Sequence, residues 1–201
     1  MTGMQGLLEY VYLNGDRIKT MVASERKELI SAAAGQKVSI QSEHMPNGQK
    51  LSLPLVNYRT DKDTMVIVED YRPVVRSTHD VTRPVGYLIP RESAELIGWV
   101  QRQSLITHPF KAKKNQKIEQ YGITSIDSID FEGDIIVNPE VEVKEMKEGI
   151  SSSDYLFIPV SQLKCNLIIL ALEPKSMLGL VTYPQYARLL MKGENYPVLR
   201  I

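Results

Sequence analysis

The spacing of apolar residues changes once in the first part of the chain. Between residues 7 and 30 they recur at helical intervals, which predicts an amphipathic helix. Asn14-Gly15-Asp16 contains a weak helix former and a capping residue, so one helix and two helices both remain open. After Gly35, short runs of alternating apolar and polar residues begin at 37–41 and 50–56. The pattern therefore predicts a helical arm followed by strands.

The apolar pattern of residues 64–105 predicts two more strands and a helix. Residues 64–69 form an apolar run with the length of a buried strand, and residues 71–83 are extended and marked by proline, as in a linker. A compact apolar run at 85–89, ended by Pro90, predicts a strand. One-sided apolar spacing then predicts a helix over 92–105.

The remaining residues alternate between short strands and helical segments. Further strands are predicted at 118–126, 134–137, 140–146, 155–160 and 196–201, and helical segments at 162–172 and 177–190. This order predicts an α+β fold with a mainly antiparallel or mixed sheet and two or three packed helices, preceded by an N-terminal helical arm. We divide the chain into the arm (1–35), a strand-rich connecting segment (36–82) and an α+β accessory domain (83–201).

Composition and charge narrow the classes of function. Of the 201 residues 43% are apolar, and 24 basic residues balance 24 acidic ones, which is typical of a soluble globular protein. A formal net charge of zero provides no long-range attraction for nucleic acid. The most apolar run, 167–172, is far shorter than the ~18 residues of a membrane span. The sequence thus predicts no nucleic-acid partner and no membrane span, and leaves the compartment open.

The residues do not form a catalytic or metal-binding motif by themselves. The histidines, His44, His79 and His108, are widely separated and lack the spacing of zinc ligands. Ser161 and Lys164 have the Ser-x-x-Lys spacing, but such a match is expected by chance in a chain with this many serines and lysines. The sequence therefore indicates no catalytic residue and no metal ligand on this chain, and its enzyme status stays open.

Six short motifs follow one another in the second half of the chain. They are Arg83-Pro84-Val85-Gly86-Tyr87-Leu88-Ile89-Pro90, Leu105-Ile106-Thr107-His108, Phe131-Glu132-Gly133, a strand leading to Gln162, Leu172-Glu173-Pro174-Lys175-Ser176, and Tyr196-Pro197-Val198-Leu199-Arg200. In their order they resemble the region that follows the catalytic domain in a group of bacterial zinc carboxypeptidase-like proteins. The similarity covers residues 83–201, and residues 4–33 more loosely resemble the last helix of the peptidase domain. Pro109 and Asp134 depart from the family pattern, which usually has glycine and often histidine at these positions.

The resemblance implies an accessory domain without chemistry of its own. The metal ligands and the water-activating glutamate of such peptidases match no position here, so zinc is implied for the parent protein and no cofactor for this chain. The implied partners are an upstream peptidase domain and, through it, a peptide or amide substrate, in a secreted or periplasmic location if the parent is exported. Family-motif residues to which we assign a structural role are Tyr87, Pro90, His108, Glu132, Gly133, Gln162, Glu173, Pro174 and Arg200. The alternative is a free-standing peptide- or glycan-binding module or scaffold.

Overall fold

The chain forms two compact units. The computed structural model describes residues 2–32, 34–113, 116–146 and 150–201. One unit, the main unit, combines Met1–Lys37 with Thr82–Ile201, and the other, the hairpin unit, comprises Val38–Val81. The main unit begins with two helices, α1 (Thr2–Leu13) and α2 (Gly15–Ser31). The sequence left open whether this region holds one helix or two, and the division falls at Asn14, next to the weak helix former Gly15.

The hairpin unit consists of four strands and the loops between them, and no helix lies within its residues. Its four strands are β1 (Lys37–Met45), β2 (Leu51–Asn57), β3 (Lys62–Val68) and β4 (Val74–Thr82). β1 pairs with β4, and β2 pairs antiparallel with β3. The prediction of a buried strand at 64–69 is half wrong, because β3 exposes its side chains as far as Ile67. Within its unit β3 pairs with β2 alone, and two strands cannot bury both faces of each other. The predicted linker at 71–83 is mostly β4.

The main unit is built on a six-stranded antiparallel sheet. Along the chain follow β5 (Gly86–Pro90), α3 (Ala94–Arg102), β6 (His108–Pro109), β7 (Glu119–Phe131), β8 (Asp134–Glu145), β9 (Tyr155–Pro159), α4 (Cys165–Leu172) and β10 (Asn195–Arg200). The strand order is β6-β9-β5-β10-β7-β8, and each pair of neighbouring strands in this sheet runs antiparallel. The predicted α+β fold with a mainly antiparallel sheet is therefore confirmed. The strands predicted at 134–137 and 140–146 form one strand, β8.

β5 lies in the middle of the core and is buried along its whole length. Leu88 packs on one face of the sheet with Phe110, Ile118 and Leu199. Its neighbour Tyr87 points to the opposite face, where its hydroxyl reaches the residue that follows α4. A strand covered on both faces has to be apolar throughout, and this explains the unbroken apolar run that the sequence shows here.

Two glycine-containing positions, a close approach between strands and a tight turn, shape the backbone of the sheet. At the start of β5, a Cβ on Gly86 would lie 2.5 Å from the carbonyl oxygen of Ile158, so only glycine allows this strand to pair closely with β9. β7 and β8 are joined by a two-residue turn, Glu132-Gly133, in which both residues have positive φ (56° and 93°). This is the backbone of the hairpin turn that matches the twist of the strands. The Glu-Gly motif thus lies in a turn.

The region between α4 and β10 is less regular than its sequence indicates. Instead of the helical segment predicted at 177–190, it contains two 3₁₀ helices, Leu180–Thr182 and Pro184–Leu189. Pro184 opens the second of them and cannot donate the backbone hydrogen bond that a longer α-helix would require. Among the helices that the structure describes, none combines the length and the apolar character that crossing a membrane requires.

Candidate functional site

Three of the family-motif residues meet in a buried polar cluster. Tyr87 lies in β5, Arg200 lies at the end of β10, and Glu173 directly follows α4. Tyr121 of β7 completes the group. We refer to Tyr87, Tyr121, Glu173 and Arg200 as the Glu173 cluster.

The Glu173 carboxylate is the centre of this cluster and is 1% exposed. Oε1 accepts a 2.6 Å hydrogen bond from the Tyr87 hydroxyl, and Oε2 accepts one of the same length from the Tyr121 hydroxyl. Nε of Arg200 lies 3.1 Å from Oε1, which makes an ion pair without the alignment of a good hydrogen bond. A buried carboxylate is tolerated when it is paired in this way, so the cluster ties β5, β7, β10 and α4 together.

The other side of the Arg200 guanidinium faces a second carboxylate. Nη1 lies 3.2 Å from Oε2 of Glu119, and Nη2 donates to the backbone carbonyl of Thr82. Oε1 of Glu119 lies 2.7 Å from the ammonium group of Lys117, which is largely exposed. Arg200 therefore connects the closed interior around Glu173 with a charged surface at the start of β7.

Burial keeps the tyrosines of this region neutral. Loss of solvent around the hydroxyls, together with the nearby charge of Glu173, raises the pKa of Tyr87, Tyr121 and Tyr196 well above the usual value of 10. A neutral phenol donates a hydrogen bond to a carboxylate, whereas a phenolate would be repelled by it. The arrangement holds a charge in place and offers no activated nucleophile.

Tyr196 provides a matched comparison with Tyr87, because both side chains are fully buried but only Tyr87 has a protein partner for its hydroxyl among the described residues. We expect Tyr87→Phe to lower the free energy of unfolding by about 1.5–3 kcal/mol, since it removes a hydrogen bond to a charged acceptor. Tyr196→Phe removes an unpaired polar group, and should leave stability unchanged or raise it by about 1 kcal/mol. Urea unfolding of both variants checks this. Equal losses in the two would show that the Tyr196 hydroxyl is bonded.

The other motif residues lie elsewhere. Gln162 is buried and bridges two loops: its Nε2 donates to the carbonyls of Pro159 (2.7 Å) and Ile106 (3.2 Å), and its Oε1 accepts from the Ile106 amide (3.0 Å). His108 is exposed in the two-residue strand β6. Pro90 is the last residue of β5, and Pro174 follows Glu173. These positions are consistent with roles in turns, strand ends and loop closure.

An open cleft of about 510 Å³ lies next to the Glu173 cluster. Its charged lining comes from Arg83, Lys117, Glu119 and Arg200, and apolar side chains such as Val85 and Val143 complete the wall. Arg83, between β4 and β5, is 5% exposed. Its Nη2 donates to the carbonyls of Leu29 (3.1 Å) and Val160 (3.3 Å). We call this the Arg83 cleft.

The first two helices expose an unusual amount of apolar surface. In α2 no residue is buried, and in α1 the side chains of Tyr12 and Leu13 are 86% and 72% exposed. We define the exposed helix face by its large apolar residues Met4, Leu7, Leu8, Tyr10, Val11, Tyr12, Leu13, Met21, Val22 and Ile30. Apolar patches of this extent are characteristic of surfaces that contact another protein.

Metal ligands are not gathered anywhere in the described ranges: no three His, Cys, Asp or Glu side chains there form a group that could hold a metal ion. The sequence analysis did not include two residues of this region, Tyr121 and Arg83, among its candidate residues. Tyr121 lies in a strand like many other tyrosines, and only its contact with Glu173 distinguishes it. A signal existed for Arg83, since a charged residue lies three positions before a fully buried strand.

Comparison of this chain with family models, with curated proteins and with solved structures finds no match.

Proposed function

We propose that this chain is the non-catalytic C-terminal accessory region of a zinc carboxypeptidase-like hydrolase, and that it packs on the catalytic domain through the exposed helix face. The observation that carries the proposal is the exposure of large apolar side chains along α1 and α2. Leaving them in water is unfavourable, since burying one leucine or methionine side chain contributes about 1.5–3 kcal/mol. A peptidase domain would provide the surface that buries them.

The motif order in residues 83–201 supports the choice of partner. Through Glu173 and Arg200, the motifs build the polar interior of the main unit and supply no group for chemistry. In the proposed protein, zinc and the water-activating carboxylate belong to the catalytic domain, which would cleave a C-terminal peptide or related amide bond. The alternative, a free-standing binding module, would leave the exposed helix face without a partner.

Translating the genomic sequence upstream of the Met1 codon tests the proposal most directly. We expect an open frame that encodes HxxE, a later histidine and a later glutamate. A stop codon directly upstream would overturn the proposal in favour of a free-standing module.

With added zinc the isolated chain should release no amino acid from an N-acylated dipeptide, and hydrolysis would contradict a non-catalytic role.

The docking surface is tested with two leucine-sized residues of matched exposure. Leu7 on α1 is 57% exposed, and Ile106, on a loop of the same unit, is 55% exposed. We expect Leu7→Glu to weaken association with the separately expressed catalytic domain at least tenfold, since about 1.5 kcal/mol or more of apolar burial is lost. Ile106→Glu should have no effect. Isothermal titration calorimetry measures both, and equal affinities would place the contact elsewhere.

A further inference from the structure

The Arg83 cleft contains a positive charge that its surroundings do not neutralise. Arg200 faces Glu119 and Glu173, and Lys117 pairs with Glu119. Arg83, in contrast, forms no ion pair with any carboxylate of the described residues. The guanidinium group of arginine carries a positive charge, and in Arg83 this charge lies inside the protein.

A buried charge without a counter-charge is unfavourable, and this makes Arg83 unusual. Its Nη2 donates to two backbone carbonyls, but its buried Nε–H donates to no acceptor within the described part of the chain. Backbone carbonyls satisfy donors without cancelling the charge. An anion bound in the adjoining cleft would supply the missing negative counter-charge.

From this geometry we infer that the Arg83 cleft binds a carboxylate carried on an aliphatic group. Among the lining side chains, Lys117 and Arg200 face the carboxylates of Glu119 and Glu173, so the unpaired positive charge is that of Arg83 alone. One unpaired positive charge matches a singly charged carboxylate better than a doubly charged phosphate. Guanidinium groups match the planar geometry of a carboxylate. Val85 and Val143 offer apolar contacts for the carbon chain that bears it.

Two sources of this ligand have the same chemistry: the C-terminus of a peptide and an acidic side chain of another protein. The inference goes beyond the proposed function and does not depend on it, because the residues that carry it lie outside α1 and α2. The experiments can therefore disprove docking through the exposed helix face and still support carboxylate binding, or disprove carboxylate binding and still support docking.

Three short peptides distinguish the sources when titrated into the full chain and followed by NMR shifts of backbone amides. N-acetyl-Ala-Leu carries a C-terminal carboxylate, N-acetyl-Ala-Leu-amide carries none, and N-acetyl-Ala-Glu-amide carries one on its side chain. We expect one or both of the peptides that carry a carboxylate to bind saturably, with a Kd of about 1 mM or tighter. Binding should shift the amide signals of Val85 and Val143. N-acetyl-Ala-Leu-amide should not bind. Equal binding of the acid and its amide, stronger binding of inorganic phosphate, or no binding at all would overturn the inference.

Variants locate the ligand in the cleft. Arg83→Gln should abolish binding, but it also removes the hydrogen bond to Leu29 and could disturb the fold. Lys117→Gln avoids this problem because Lys117 is largely exposed, and we expect it to weaken binding about threefold. Arg91→Gln is the control, since Arg91 lines a different cleft, and it should leave the Kd unchanged. If Lys117→Gln left the Kd unchanged, the carboxylate would bind elsewhere. The same would follow if Arg91→Gln weakened binding as much as Lys117→Gln.

Discussion

Replacing Glu173 with glutamine should lower the free energy of unfolding of the main unit by about 3 kcal/mol or more. The substitution keeps the shape of the side chain and removes its charge, so Arg200 remains buried with one of its two carboxylates lost. The Tyr87 and Tyr121 hydroxyls also lose their charged acceptor. Urea unfolding followed by the fluorescence of Trp99, which is buried, measures the change.

Glu142→Gln is the matched control for this substitution. Glu142 lies in β8, where its carboxylate is 3.7 Å from the ammonium group of Lys144 and both side chains are well exposed. Exposed ion pairs contribute less than about 1 kcal/mol, so the control should unfold almost as the parent chain does. If Glu173→Gln cost no more than Glu142→Gln, the buried cluster would not be a major source of stability.

Stability should fall steeply in alkaline solution. The folded state raises the pKa of Tyr87, Tyr121 and Tyr196 above the usual value of 10, so above pH 10 the unfolded chain loses three protons that the folded chain keeps. The unfolded state then binds fewer protons, and a rise in pH favours it. The contribution is fully present below pH 10 and is lost above it, with a limiting slope of about 4 kcal/mol per pH unit for three tyrosines.

Urea unfolding at a series of pH values between neutrality and strong base measures this slope. Tyr196→Phe removes one of the three titrating groups without removing a hydrogen bond to Glu173, and should reduce the limiting slope by about one third. An unfolding free energy that stays constant above pH 10, or the same slope in the variant and the parent chain, would contradict neutral buried tyrosines.

Much of the fold could be predicted because periodicity is a local property. The alternating residues of 140–146 and the unbroken apolar run before Pro90 both correspond to strands in the sheet. Burial was harder to predict. The apolar run at 64–69 forms β3 but lies in a two-stranded ladder, where no second layer covers it within its unit. An apolar run shows which side chains of a strand can be buried. Whether they are buried depends on whether neighbouring elements cover the strand.

Periodicity also failed where backbone chemistry competes with it. Residues 177–190 have helical composition, but Pro184 limits them to short 3₁₀ turns. For the candidate site, motif order identified Tyr87, Glu173 and Arg200 as separate structural positions. Nothing in their spacing indicated that they meet, since Tyr87 and Glu173 are 86 residues apart in the chain.

The sequence alone determined the α+β class and the positions of most strands, because these follow from side-chain patterns over a few residues. It left a mainly antiparallel and a mixed sheet open, and the structure shows that the six-stranded sheet is antiparallel. The tertiary structure decided which charges face each other. It placed Glu173 between two tyrosines and Arg200, and it left Arg83 buried beside the cleft without an ion pair to any carboxylate of the described residues. Electrostatic pairing depends on distances of a few ångströms between elements that are far apart in the chain, and only folding sets those distances.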